Sequence, residues 1–235
     1  MKPILFNGEM VRAILDGRKT VTRRVVNQKL LDKYCDYDQY CDAVMPRNSD
    51  ISCTRSFEKE FFMNRANFEV GDILYVRETF YYEEHMHELT EGEPDLPNGL
   101  YSHRFIYRAS DPDYPVNVGV GKGKWTPSLH MPKEAARIFL KVTGVRVERL
   151  NDITPEQADK EGVGDLFMTE IACSDIDDGY NIPLDCEYGV AKEQFAYLWD
   201  STIKKADLDQ YGWDANPWVW VIEFEQCEKP ESEGI

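Results

Sequence analysis

Residues 137–150 read RIFLKVTGVRVERL, and this stretch decides the fold class. Apolar side chains alternate with polar ones along it, as in a strand with one buried face. The residues expected on that face before Gly144 are Ile138, Leu140 and Val142. Gly144 predicts a bend or bulge, after which the alternation resumes. We therefore predict a long, half-buried strand.

Two helices and a strand are predicted downstream. Residues 154–157, TPEQ, have the cap and first-turn Pro of a short helix, and Gly162 predicts its end. Residues 190–205 predict a second helix. The residues expected on its inward face are Phe195, Leu198 and Trp199. Residues 218–224 read WVWVIEF and predict the closing strand.

Upstream, the chain predicts one helix and two strands. Asn7 is a good N-cap, and Gly17 predicts the end of the helix that follows it. The residues expected on the buried face of this helix are Met10, Ile14 and Leu15. Residues 71–72 predict a turn into a strand at 73–77, and residues 103–108 have strand composition.

The remaining segments predict long loops. They are residues 27–69, 83–124 (with an acidic loop over 83–102) and 164–188. Strands scattered among short helices, without a βαβ rhythm, predict an α+β fold with a mostly antiparallel, barrel-like sheet. We predict a single domain over residues 1–227, with these loops as insertions, and a C-terminal tail at 228–235.

Charge is distributed unevenly along the chain. There are 27 Lys and Arg against 43 Asp and Glu, a formal net charge of −16. The excess lies in residues 151–235, with 21 acids and 5 bases, so a general cationic surface for duplex nucleic acid is not expected. Residues 1–26 carry six Lys or Arg and two acids, and an anionic ligand is expected to bind there.

Several classes of protein are not expected. No stretch is apolar for long enough to span a bilayer, and residues 1–9 lack the apolar core of a secretory signal. We therefore expect a cytoplasmic protein. The six cysteines contain no CxxC pair and are predicted to be free thiols. His85 and His87 have no matching Cys or His group, so we expect neither a metal site nor a cofactor.

The segment with the most reactive chemistry is residues 17–24, GRKTVTRR. Like charges so close together disfavour the protonated form of Lys19, which makes its amine a candidate base. Thr22 offers a hydroxyl. In an extended chain Lys19 and Arg23 point one way and Thr22 the other, so a turn is needed to bring Lys19 and Thr22 together. A basic, solvated turn is the alternative interpretation.

This segment resembles the ASCH domain family, whose barrel is related to the PUA fold of RNA-binding proteins and whose marker pattern is GxKxxExR. Gly17, Lys19 and Arg24 fit the pattern, and Thr22 stands where it has glutamate. A small bacterial branch, amidohydrolases acting on N4-acetylcytidine, also has threonine there, within GRKTxTxR. The resemblance continues in the same order through three further segments, residues 71–74, 153–161 and 221–224.

Three longer signatures are similar to ASCH proteins of bacteriophages and prophages. They are VRET at 76–79, WTPSLHMP at 125–132 and NPWVW at 216–220. Those proteins are often labelled morphogenetic, which describes genome context and not biochemistry. The long loops are absent from the minimal amidohydrolases.

The resemblance implies an amidohydrolase whose catalytic lysine, threonine and glutamate are Lys19, Thr22 and Glu161. Glu161 ends the short helix, where the dipole disfavours negative charge and so favours a proton donor. Guanidinium groups suit ribose or phosphate oxygens, and aromatic rings stack on bases. The candidate substrate-binding residues are Arg18, Arg23, Arg24, Tyr75 and Trp125, with Trp218 as a further stacking candidate.

Two other functions remain open. A single-stranded RNA-binding protein or ribonuclease would use Lys19 as base and Glu161 as acid for attack by a 2′-hydroxyl. Such a protein needs an extended basic groove, so the net charge of −16 favours a nucleoside as the partner. The third interpretation is a non-catalytic phage interaction protein whose acidic surface imitates nucleic acid.

Overall fold

The computed structural model describes residues 1–44, 60–86, 101–114, 124–163 and 187–230. Contacts divide the chain into two compact units. The first contains Met1–Asp16, Ile73–Leu140 and Gln226–Ile235, and the second contains Gly17–Asp72 and Lys141–Glu225. Each unit is therefore assembled from segments that are distant in the chain.

The described residues form seven strands in two sheets. The strands are β1 (Lys2–Leu5), β2 (Val21–Val25), β3 (Ile73–Arg77), β4 (Phe80–Met86), β5 (Tyr101–Tyr107), β6 (Phe139–Arg149) and β7 (Trp218–Cys227). Five of them form one sheet in the order β1-β3-β6-β7-β2, and β4 pairs antiparallel with β5. In the larger sheet β1 is parallel to β3, whereas β2 is antiparallel to β7.

Five α-helices accompany these strands in the described part of the chain. They are α1 (Gly8–Leu15), α2 (Gln28–Val44), α3 (Pro155–Lys160), α4 (Glu187–Thr202) and α5 (Leu208–Tyr211). Residues 60–63 add a further helical turn. The predicted α+β class with a mostly antiparallel sheet is therefore confirmed.

The predicted closure of the sheet into a barrel is wrong. β1 and β2 stand at the two ends of the strand order, and within the described residues no pairing joins them. A barrel needs hydrogen bonds between its first and last strands. Here β1 pairs with β3 and β2 pairs with β7, so the sheet is open.

Several predicted elements are confirmed. β6, β3 and β7 lie where the alternation of apolar residues places them, and Gly71 enters β3 with a φ of 95°. Thr154 and Gln157 form the reciprocal capping box of α3, and Gly162 ends it with a φ of 85°. The glycines fit because a side chain at a positive φ is strained.

The predicted face of α1 is wrong in detail. The Asn7 side chain caps it by accepting a hydrogen bond from the Met10 backbone N–H at 2.8 Å, as expected. Its buried residues, however, are Val11, Ala13 and Ile14, while Leu15 is 43% exposed. The helix therefore buries Ile14 as predicted, but not Leu15.

Two regions predicted as loops contain regular structure. α2 occupies residues 28–44, where the polar composition hid a helix. β4 and β5 extend into both ends of the predicted acidic loop at 83–102, because each strand pairs with the other along seven residues. Residues 164–186 of the acidic loop predicted at 164–188 lie outside the described residues, and its last two residues begin α4. β1 was not predicted, since a strand of four residues gives too short an alternation.

Each unit has its own apolar core. The core of the first unit contains Phe80, Met131, Ala135, Ala136 and Phe139. The core of the second unit packs β2, β7 and the segment around α3 against α4. Its larger buried members are Leu150, Ile153, Phe195, Trp199, Val219 and Val221. The predicted inward face of α4 is therefore confirmed for Phe195 and Trp199, with Leu198 partly buried beside them.

Among the described residues, none of the helices has both the length and the apolar composition that a membrane span requires.

Candidate functional site

The candidate site lies within the second unit, where the start of β2 meets the end of α3. The backbone N–H of Thr20 donates to Lys160 O at 2.9 Å, and the Phe224 N–H of β7 donates to Thr20 O at 2.9 Å. Thr20 is thus held on two sides by backbone hydrogen bonds. This places its neighbour Lys19 beside Glu161, the residue that ends α3.

Lys19 and Glu161 form a buried pair. Lys19 Nζ lies 2.6 Å from Glu161 Oε2 and also donates to the Glu161 backbone carbonyl at 2.9 Å. Lys19 is 2% exposed and Glu161 is 4% exposed. Removed from bulk water, the two charges interact far more strongly than a surface pair does. Their close contact also makes them a possible proton donor and acceptor for one another.

Arg23 completes the cluster from β2. Its Nη1 donates to Glu161 Oε1 at 3.0 Å, while its Nη2 donates to Glu148 Oε1 at 2.7 Å and Gln157 Oε1 at 2.8 Å. The Phe195 ring lies 5.7 Å from the guanidinium carbon. Among the described residues, Arg23 Nε finds no hydrogen-bond acceptor although it is buried. The guanidinium therefore binds three polar side chains, those of Glu161, Glu148 and Gln157.

The electrostatics of the site lower the pKa of the Lys19 amine. Burial lowers the pKa of Lys19 from its ordinary value; the charge and hydrogen bond of Glu161 oppose this shift, while the nearby charges of Arg24 and Arg23 reinforce it. Burial also lowers the pKa of the Arg24 guanidinium, against the charge of Glu161. Lys19 consequently gives up its proton more readily than a surface lysine, as a base must.

The other residues of the basic segment make separate contacts. Arg18 is half-buried and its Nη1 donates to Gly162 O at 3.3 Å. Arg24 is half-buried and its Nη1 donates to Arg23 O at 3.3 Å. Thr22 is buried at 1% exposure, pairs in register with Ile222, and projects from the face of β2 opposite to Arg23.

Two of the three aromatic candidates belong to the first unit, and the third belongs to the second. Tyr75 packs against the apolar core of the first unit. Trp125 is half-buried and also belongs to the first unit. Trp218 belongs to the second unit, where its ring lies 4.5 Å from the Arg149 guanidinium carbon and 5.5 Å from the Phe62 ring. Their roles in stacking on a base stay predictions.

The described residues contain no group of three or more His, Cys, Asp or Glu side chains that could hold a metal ion. His85 lies in β4, and His87 lies outside the described residues. The site itself presents an amine, a carboxylate and guanidinium groups, which are suited to proton transfer and to the binding of oxyanions.

Sequence reasoning missed two members of the cluster, Glu148 and Gln157. Gln157 was recognised only as the capping residue of α3, although its Oε1 also accepts from Arg23. Glu148 also accepts from Arg146 Nε at 3.0 Å, and Arg146 in turn pairs with Glu223. The position of Glu148 on the polar face of β6 was the available signal. The spacing of residues in the sequence cannot identify a partner that lies more than a hundred positions away.

No protein-family model, curated protein or solved structure matches this chain.

Proposed function

We propose that this chain is an amidohydrolase of the ASCH, PUA-like type that removes the acetyl group from N4-acetylcytidine or a related modified nucleoside. The observation that carries the proposal is the buried contact of 2.6 Å between Lys19 Nζ and Glu161 Oε2. It joins two of the residues that the resemblance implies are catalytic.

The reaction follows from these roles. Neutral Lys19 accepts a proton from the attacking hydroxyl, whose oxygen adds to the acetyl carbonyl carbon. The bond between that carbon and N4 then breaks, and Glu161 in its acid form donates a proton to the leaving amine. If Thr22 attacks, a water molecule then releases acetate by the reverse proton transfers; if water attacks, acetic acid leaves directly, and a proton passes from Lys19 to Glu161 to restore the protein. The products are cytidine and acetate.

The attacking hydroxyl belongs either to Thr22 or to a water molecule. Thr22 projects from the face of β2 opposite to Arg23, while Arg23 and Lys19 both reach Glu161. This arrangement supports the version in which Lys19 activates water. An acetylated protein intermediate, detected by mass spectrometry and absent from Thr22→Val, would instead identify Thr22 as the nucleophile.

Binding of the nucleoside is assigned to the half-buried cations. Arg18 and Arg24 flank the buried pair, and their guanidinium groups suit ribose or phosphate oxygens. Because Lys19 and Glu161 are almost fully covered, the reaction requires part of the chain to move aside when substrate binds.

The test is conversion of N4-acetylcytidine to cytidine by the purified protein, followed by chromatography. Lys19→Ala and Glu161→Gln are expected to lose turnover, each by at least about 100-fold, and Thr22→Ala is expected to lose it to the same extent if Thr22 is the nucleophile. Lys141→Ala and Thr143→Ala, which alter exposed residues of β6, are the matched controls and are expected to keep it. No turnover by the parent protein would overturn the proposal, and binding of single-stranded RNA would then favour the alternative function.

A further inference from the structure

Arg23 occupies a variable position of the GRKTxTxR pattern, so the resemblance assigns it no catalytic role. In the structure it is nevertheless the centre of the buried cluster. Its side chain is 0% exposed, and it contacts Glu161, Glu148 and Gln157 at once. A residue placed this way can act on the reaction through its neighbours.

The geometry divides the two oxygens of Glu161 between two cations. Oε2 contacts Lys19 Nζ at 2.6 Å, and Oε1 contacts Arg23 Nη1 at 3.0 Å. Hydrogen bonds to both oxygens fix the plane of the carboxylate as well as its position. Without Arg23, Glu161 would be free to rotate about its side-chain bonds while keeping a single contact to Lys19.

Arg23 is in turn held from the other side. Its Nη2 donates to Glu148 Oε1 at 2.7 Å and to Gln157 Oε1 at 2.8 Å. Gln157 belongs to the capping box of α3, the helix that Glu161 ends. The guanidinium therefore links β2, β6 and both ends of α3.

Stability alone is a poor explanation for this arrangement. Buried ion pairs lose most of their attraction to the cost of removing charges from water, and apolar side chains of similar size often serve stability as well or better. Arg23 Nε is also buried without an acceptor among the described residues. An unsatisfied buried donor calls for a reason other than packing.

We propose that Arg23 is a positioning residue: it holds Glu161 so that one carboxylate oxygen is presented to Lys19, while Glu148 and Gln157 hold Arg23 itself. The inference rests on the proposed function, because it treats Lys19 and Glu161 as the reacting pair. Arg23 touches no substrate atom in this role.

Arg23 also sets the charge around Lys19. The charged groups that act on the Lys19 amine are Glu161 from the end of α3 and Arg23 and Arg24 from β2, with Glu148 of β6 bound to Arg23. Removing the charge of Arg23 removes one of the two cations that lower the pKa of Lys19. The pKa of Lys19 is then expected to rise.

The experiment is a pH titration of Lys19 by NMR, with ¹³C at lysine Cε and the Lys19 signal identified by its loss in Lys19→Met. Arg23→Gln is expected to shift the midpoint upward. Arg137→Gln, which removes a guanidinium bound to a buried carboxylate in the first unit, is the matched control and is expected to leave it unchanged. An unshifted midpoint in folded Arg23→Gln would overturn the proposal.

A second variant tests the proposal if Arg23→Gln does not fold. Arg23→Lys keeps the charge, but one ammonium cannot reach Glu161 and Glu148 together. In its crystal structure the Glu161 carboxylate is expected to rotate about its side-chain bonds while one oxygen keeps its contact with Lys19 Nζ. A carboxylate plane unchanged from the parent protein would overturn the proposal.

Kinetics separate this inference from the proposed function. If the parent protein hydrolyses N4-acetylcytidine, the rising limb of kcat against pH, which deprotonation of the base Lys19 sets, should move to higher pH in Arg23→Gln, whereas a merely structural role would lower kcat equally at every pH. If the parent protein is inactive, the proposed function fails, and the titration and the crystal structure still decide the role of Arg23.

Discussion

Lys19 Nζ lies 2.6 Å from Glu161 Oε2, although the two residues are 142 positions apart in the chain. The pair is completed by Arg23, whose Nη1 holds the second oxygen of the same carboxylate. One buried carboxylate thus contacts two buried basic side chains. The consequences of removing each member can be measured.

Glu161→Gln leaves Lys19 and Arg23 buried around a neutral amide. We expect the free energy of unfolding to fall by about 3–5 kcal/mol, the usual effect of removing one partner of a buried ion pair. Urea unfolding followed by circular dichroism measures this change. Glu225→Gln, at an exposed position of β7, is the control and should stay close to the parent protein. Equal losses of unfolding free energy in both variants would show that removing the Glu161 charge costs no more than removing an exposed charge.

Stability should depend on pH through Lys19. Burial holds the pKa of Lys19 below its ordinary value of 10.5 in the folded protein, whereas the unfolded chain keeps the ordinary value. Between these two pKa values the unfolded state binds the proton and the folded state does not. The free energy of unfolding therefore gains a contribution that increases as pH rises through this window to 10.5.

Urea unfolding gives the free energy of unfolding of the parent protein and of Lys19→Met at each pH in that range. The difference between the two proteins, followed against pH, measures the contribution of Lys19. Lys141→Met, at an exposed position of β6, should follow the parent protein. A pH dependence that Lys19→Met leaves intact would show that Lys19 titrates alike in both states.

Thr154 caps the start of α3, the helix that Glu161 ends. Thr154→Ala removes the acceptor for the Gln157 backbone N–H, and we expect a loss of about 1 kcal/mol in the free energy of unfolding. Thr154→Ser keeps the hydroxyl and should recover most of it. Differential scanning calorimetry compares the two. If both variants unfold alike, the hydrogen bond contributes nothing to stability.

Glu78 and Arg137 form a second ion pair, in the first unit. Glu78 is 1% exposed, and its two oxygens accept from Arg137 Nε at 2.9 Å and Nη2 at 3.0 Å. Arg137→Met would leave the carboxylate buried alone, and we expect a loss on the order of 3 kcal/mol in unfolding free energy.

Arg108→Met, which alters an exposed arginine of the same unit, should cost little. The double variant Glu78→Gln with Arg137→Met should be less destabilised than Arg137→Met alone, because the unpaired charge is gone. Additive losses in the double variant would contradict this account.

Local patterns predicted much of the fold. The alternation along residues 137–150 predicted β6, and the TPEQ sequence predicted the start of α3, because both depend on neighbours within a few residues. α2 was missed because its polar residues give a weak helical stripe. Closure of the sheet was predicted wrongly, since strand order depends on contacts between distant segments.

The candidate site was predicted in part. Reactive residues were found in GRKTVTRR because cations and hydroxyls are dense there, and Arg23 and Lys19 were expected on one side of an extended chain. Their shared partner was predicted only by resemblance. Glu148 was not predicted, because a carboxylate on a strand looks like any other exposed acid until its partner is known.

The sequence by itself determined the local elements, the caps and the position of the basic segment, since these follow from backbone preferences and from the spacing of apolar residues. Only the tertiary structure decided that Lys19 and Arg23 share Glu161, and that Glu148 and Gln157 hold Arg23. The physical reason is burial. A charge removed from water must find partners, and the folded chain supplies them from segments that lie far apart in sequence.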